Sequence, residues 1–206
     1  MITSKQRAIK LAKLNKAVKE ITPLIFGNLD AFRDLNKGAY LVDKDAASGT
    51  SCVYVARKAQ LLLADRGIDT VLVGGLAAFS VNKGRFGILD YGYSAKANTT
   101  SFANTDNPYH GHCWLEIKSL DVIVDLTTHK LKKTFEADSA LRGITELDFN
   151  ITTNPVFNKS ESKSFDRLMS GELGRHYQSN REAHEELQWR LKAIPQLDEL
   201  VECTEE

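Results

Sequence analysis

Gly49-Thr50-Ser51-Cys52-Val53-Tyr54-Val55-Ala56-Arg57-Lys58-Ala59-Gln60-Leu61-Leu62-Leu63-Ala64-Asp65-Arg66-Gly67 is the stretch on which the reading of this chain turns. It reads as a turn followed by a helix from about Cys52 to Arg66, with Val55, Ala59, Leu62 and Leu63 on its buried face. Thr50 or Ser51 can cap the helix start, and Gly67 is the expected stop. A cysteine in the first helical turn faces unpaired N–H groups and the positive end of the macrodipole. Both favour the thiolate, which is the nucleophilic form.

Downstream, Thr70 to Val73 are β-formers, so Asp69 to Val73 begins a strand. Gly74-Gly75 marks a bulge or a close backbone approach. Leu76 to Val81 continues that strand or starts its partner, and Phe86 to Tyr93 is a further strand. Residues 94–110 are polar and read as a long loop forming one wall of a cleft. In the next strand, His112 to Lys118, the residues His112, Trp114 and Glu116 face one way and Cys113, Leu115 and Ile117 the other. After the connection Ser119-Leu120-Asp121, Val122 to Leu126 returns as the second arm of an antiparallel hairpin. Its register can bring Asp125 beside His112 on one sheet face.

A Cys-His-Asp set performs acyl transfer. Thiolate attacks a carbonyl, imidazolium protonates the leaving group, and the carboxylate orients and supports the imidazole. We therefore expect Cys52, His112 and Asp125 to be catalytic. The Cys52 N–H is a natural oxyanion donor. Asn36 or Tyr40, from the polar segment before the nucleophile, are candidates for the second.

Five strings in this order resemble the transglutaminase-like superfamily: Gly-Thr-Ser-Cys at 49–52, Leu-Leu-Leu-Ala-Asp-Arg-Gly-Ile at 61–68, Asp-Thr-Val-Leu-Val-Gly-Gly at 69–75, Gly-His-Cys-Trp-Leu-Glu-Ile at 111–117, and Val-Ile-Val-Asp-Leu-Thr at 122–127. They are similar to its bacterial lasso-peptide leader peptidases and, more distantly, to the arylamine N-acetyltransferases. The resemblance covers roughly residues 48–128. It implies an α+β, papain-like core, in which a nucleophile helix packs on an antiparallel β-sheet. It also implies Cys52 as nucleophile, His112 as base, Asp125 as orienting acid, and Trp114 at a position that is aromatic in many members. Asn36, Tyr40, Ser51 and Trp114 are thus the candidate substrate-binding or oxyanion residues. Cys113 and the polar loop at 94–110 depart from the family pattern, which leaves hydrolysis and transfer both open.

Outside this core, residues 3–21 read as a basic amphipathic helix with Leu11, Leu14, Val18 and Ile21 as its stripe. Pro23 ends it or starts a second helix at 24–36, with Leu24, Ile25, Leu29, Phe32 and Leu35 inward. A short helix is expected near 134–142, and a linker or exposed loop at 150–164. A C-terminal helix is expected at 175–193, anchored by Tyr177, Leu187, Leu191 and Trp189. The acidic tail follows. We expect one domain, 1–206. Its catalytic core spans about 40–130, its N-terminal helices 3–36 and its C-terminal helical extension about 160–194.

The 206 residues carry 27 basic and 27 acidic side chains, so net charge points to neither nucleic acid nor membrane. Three cysteines, with no secretory signal, fit a reducing compartment and a cytoplasmic protein. The expected partner is a peptide or a small acyl or amide substrate, with no cofactor and no metal. Zinc is the chemical rival, because Cys52, His110, His112 and Cys113 are ligand types. Cys113 and His112 nevertheless point to opposite faces, and no zinc-ligand spacing occurs. His110 is the alternative base, while His129 and His184 are expected at the surface. Each triad residue also has a bland reading: Cys52 and Cys113 as small core residues, His112 as a hydrogen-bonded structural histidine, Asp125 as a solvated strand end. In the bland case the scaffold is a binding module rather than an enzyme.

Overall fold

The computed structural model describes residues 2–27, 51–80, 88–91, 100–101, 111–130 and 154–193. Within them four helices pack with a curled, mainly antiparallel sheet, an α+β arrangement. The expected elements at 28–36, 94–99, 102–110 and 134–142 lie outside the described residues, as do Asn36, Tyr40, His110 and Cys203.

Helix α1 runs Ser4–Gly27 without a break at Pro23. Thr3 and Gln6 cap its start reciprocally: the Gln6 N–H donates to Thr3 Oγ1 and the Thr3 N–H to Gln6 Oε1. Two helices were expected because proline removes an N–H. The stripe Leu14, Val18, Ile21 and Ile25 crosses Pro23 at spacings of three and four, and all four residues are buried. Packing therefore carries the helix past the proline, while Leu24 turns outward, contrary to expectation. Arg7 donates to Leu120 O and Asn158 Oδ1, tying α1 to the sheet.

Helix α2, Ser51–Ala64, is the nucleophile helix of the sequence reading. It ends in a turn at Gly67, whose φ of +65° suits only a residue without a Cβ penalty. Val53, Val55, Ala56, Ala59 and Leu63 are buried against α1 and the sheet.

Strand β1, Val71–Ser80, is continuous through Gly74-Gly75 and organises the sheet. Ala77–Ser80 pair with both β2 (Ile88–Tyr91) and β7 (Gly174–Ser179), so these two lie on opposite edges of β1. The strand order puts β4 (His112–Ile117) on the edge away from β2. That edge is therefore shared: β4 takes Val71–Gly75 and β7 takes Gly75–Ser80. Glycine is required at the changeover. A Cβ on Gly75 would fall 2.2 Å from Gln178 O and 2.5 Å from Trp114 Cη2, and one on Gly74 would fall 2.7 Å from His184 Cα. This is the close backbone approach that the pair of glycines predicted. The short strand β3, Thr100–Ser101, adds to β2 in parallel.

Beyond β4 come β5, Val122–Val124, and β6, Val156–Asn158, both antiparallel. The β4–β5 turn places Asp121 at φ 52°, a left-handed conformation that Asp tolerates better than most residues. Strand β6 corrects the expected exposed loop at 150–164. Val156 and Phe157 are buried, and three apolar or amide residues between Pro155 and Lys159 are too short a run to carry a periodicity.

The second correction concerns 175–193. Residues 174–179 form strand β7, and helix α4 spans only Arg181–Ala193. Asn180 caps it, its Oδ1 accepting from the Ala183 N–H at 3.0 Å. Leu187 and Leu191 pack on the core as expected, whereas Trp189 is 56% exposed and anchors nothing. A small helix α3, Phe165–Met169, buries Leu168 against Ala78 and Ile88.

The core has two sides. Cys113, Leu115, Ile117, Val122 and Val124 meet α1, α2 and α4 on the helix face. Trp114, Ile123 and Phe157, with Val73 and Tyr177, form a smaller cluster on the opposite face.

Candidate active site

The hairpin alternation places His112 and Asp125 on that opposite face, as the sequence predicts. His112 Nε2 lies 2.8 Å from Asp125 Oδ2, and both side chains are buried. The carboxylate is saturated with donors. Thr127 donates its N–H at 3.0 Å and its hydroxyl at 2.5 Å to Oδ1. Tyr177 donates its hydroxyl to Oδ2 at 2.6 Å. The Asp125 backbone is fixed as well, its N–H donating to Pro155 O and its carbonyl accepting from Thr128 Oγ1.

Aromatic rings hold the imidazole in place. Trp114 stacks on His112 at 6.3 Å, Phe79 meets it edge-on at 6.3 Å, and Tyr177 lies tilted at 6.3 Å. Trp114 is itself buried and uses its Nε1–H on Glu116 at 3.3 Å. It stands behind His112 as support.

Cys52, in the first turn of α2, is buried near Cys113 and His112, and both act on its thiol. Cys113 is the largest influence on the Cys52 thiol and lowers it. Burial opposes this influence, and nearby His112 reinforces it, bringing the thiol down to about 5. Burial disfavours imidazolium at His112, but the charge and hydrogen bond of Asp125, with Cys52 adding to them, raise it to about 10. These opposed shifts favour the proton on the imidazole and the negative charge on sulfur. Burial would raise Asp125, yet His112, Thr127 and Tyr177 together hold it below the usual carboxylate range. Cys113 is pushed well above the ordinary thiol value by burial first and by Cys52 second, so it remains a thiol.

The structure thus brings Cys52, His112 and Asp125 together. Ser51 opens α2, and its side chain, like Asn36 and Tyr40, lies outside the described residues. His184 is half-buried, its Nδ1 accepting from the Gly74 N–H at 3.3 Å. Among the described residues, no three His, Cys, Asp or Glu side chains are grouped to hold a metal ion, and no helix is long and apolar enough to cross a membrane.

Three members of the site escaped sequence reasoning. Thr127 was legible in principle, since it stands two residues beyond Asp125. The Cys113 thiol was assigned to the core, where it is, but the helix face of β4 is also the face beneath Cys52. Tyr177 carried no signal while its stretch read as helix.

No family model matches the chain, and no curated protein or solved structure matches it either.

Proposed function

We propose that the protein is a cysteine-dependent acyl-transfer enzyme with a papain-like, transglutaminase-like core, hydrolysing an amide or isopeptide bond. The observation that carries this reading is the buried His112–Asp125 pair beside Cys52, with the cysteine in the first turn of a helix.

Each residue has a definite task. The Cys52 thiolate attacks the carbonyl carbon of a peptide or small amide substrate. The carbonyl oxygen takes up the negative charge and is met by the Cys52 backbone N–H in the first turn of α2. His112, as imidazolium, passes its proton to the departing amine. Asp125 keeps the ring in register throughout, and Thr127 and Tyr177 keep Asp125 ionised. Neutral His112 then draws a proton from water, which attacks the thioester and frees Cys52. An amine in place of that water would make the same intermediate a transglutaminase-type or N-acyltransferase step. A reducing, cytoplasmic setting suits a chemistry that depends on a free thiol.

The burial of the triad favours a second reading. His112 is 0% and Cys52 only 7% exposed, as in a scaffold retained for binding. The two readings separate on one experiment. Wild type and Cys52→Ala are incubated with a panel of aryl amides, thioesters and Nε-linked isopeptides, with and without amine acceptors, and adducts are read by intact mass. The enzyme reading expects a thioester adduct and turnover in wild type, both absent from a folded Cys52→Ala. Equal behaviour of the two proteins would leave the binding module.

A further inference from the structure

We propose that Glu116 and Lys159 are positioning residues of the same site: together they clamp the Trp114 indole, and the indole in turn holds the His112 and Tyr177 rings against Asp125. This role rests on the acyl-transfer reading, because the imidazole it aligns is that reading's base.

Strand β4 sets His112, Trp114 and Glu116 in a row, every second residue along one face. The indole is gripped at two ends. Its Nε1–H donates to Glu116 Oε1 at 3.3 Å. Its far edge lies over Gly75, so close that a Cβ there would fall 2.5 Å from Trp114 Cη2. Glu116 is fixed in turn from β6, two strands away in the sheet. Lys159, which follows β6, donates Nζ to Glu116 Oε1 at 3.0 Å and to Oε2 at 2.9 Å. The Lys159 side chain is 53% exposed and that of Glu116 only 12%, so the clamp runs from the surface inward.

Between its two ends the indole meets both rings that bear on Asp125. It stacks on His112 with 27° between the ring planes, and it meets Tyr177 edge-on with centroids 5.1 Å apart. These are arrangements in which aromatic pairs attract. His112 Nε2 and the Tyr177 hydroxyl both end on Asp125 Oδ2. An indole free to swing would therefore disturb two contacts of one carboxylate oxygen at once.

The ordinary alternative is a strand-face ion pair with no bearing on the site. Trp114 separates the two cases. It is buried, and a buried indole N–H needs an acceptor, which Glu116 supplies. On this account position 116 acts through a hydrogen bond rather than through charge. An amide there would serve the indole, and an alkyl group would not.

The test is the pH midpoint of Cys52 alkylation by iodoacetamide, read by peptide mass spectrometry on the full-length protein. It needs no substrate, and it senses His112 because His112 is one of the groups that lower the Cys52 thiol. Glu116→Leu removes the acceptor and should raise the midpoint by about one pH unit, about tenfold less thiolate at a pH below both midpoints. Glu116→Gln should return it close to wild type. In a Trp114→Phe background, which has no N–H to hold, Glu116→Leu should add nothing. Lys159→Met, a surface change, should raise the midpoint in the same direction by less, and it reads the same route where a core variant fails to fold. The proposal is overturned if Glu116→Leu, or Lys159→Met in its place, leaves the wild-type midpoint. It is equally overturned if Glu116→Gln behaves as Glu116→Leu, or if the Glu116→Leu shift persists in full beside Trp114→Phe. Acyl turnover is measured alongside. The expected shifts without turnover in wild type keep the clamp and remove the enzyme reading, whereas turnover with unshifted midpoints removes the clamp alone.

Discussion

Tyr177 and His112 share one oxygen of Asp125: the Tyr177 hydroxyl donates to Oδ2 at 2.6 Å and His112 Nε2 lies 2.8 Å from the same atom. Tyr177 comes from β7, more than fifty positions downstream of the hairpin, so the edge shared by β4 and β7 is what completes the site. Tyr177 acts through Asp125 and is a positioning residue. Tyr177→Phe keeps the ring contacts and removes one hydrogen bond to a charged group, a loss of about 1.5–3 kcal/mol. The folded Asp125 carboxyl then becomes less acidic. A carboxyl held low in the fold stabilises at pH above its unfolded value of 3.8 and loses that contribution as pH falls. Thermal melts against pH should therefore show the variant less stable at neutral pH but losing less further stability than wild type as pH falls below 3.8.

Asp125→Asn preserves shape and removes charge. Burial alone disfavours imidazolium at His112, and the Asp125 charge is what outweighs it. Without that charge the thiolate–imidazolium pair collapses toward neutral thiol and imidazole. The rate of Cys52 alkylation at pH 7 should fall by about tenfold or more, one pKa unit being a factor of ten in populations. The same variant should be destabilised, because the Thr127 and Tyr177 donors lose a charged acceptor.

Gly75→Ala tests the changeover on β1. Its Cβ would meet Gln178 O and Trp114 Cη2 far inside contact distance, and backbone on the β7 side has little room to yield. We expect a loss of about 1–3 kcal/mol or more, as for overpacked cores. Because β7 carries Tyr177, the stability lost below pH 3.8 should shrink, as predicted for Tyr177→Phe. A neutral effect in chemical denaturation would contradict the described pairing.

Lys58 is buried on α2, where its ammonium reaches the Tyr54 hydroxyl at 3.2 Å and lies over the Tyr54 ring. Burial lowers its pKa from 10.5. A lysine depressed in this way costs stability wherever the unfolded chain would hold the proton. Lys58→Met should stabilise the fold by about 1 kcal/mol or more at pH 7. That advantage should shrink as pH rises toward 10.5, where the unfolded lysine also loses its charge.

Local signals made the centre of this chain legible. Gly67 ends α2, the Cys113–Ile117 and Val122–Val124 alternation defines a hairpin, and the hairpin register alone puts Asp125 within reach of His112. Residues whose position depends on distant pairing were not legible. Val156 and Phe157 become a strand only because β5 offers an open edge, and Tyr177 sits on a strand because β1 runs on through Leu76–Ser80, past its pairing with β4. At Pro23 the local rule spoke against a continuous helix, and the burial of Ile21 and Ile25 against the core overrode it.

The central claim is that Cys52 is a thiolate paired with the His112 imidazolium. Its most direct test is the rate of Cys52 alkylation by iodoacetamide as a function of pH, resolved by peptide mass spectrometry, in wild type, His112→Ala and His112→Gln. The account predicts a wild-type midpoint near 5. It also predicts that the midpoint rises toward the ordinary thiol value of about 8.5 in whichever His112 variant remains folded. A wild-type midpoint near that ordinary value, or one that stays low without His112, would contradict it.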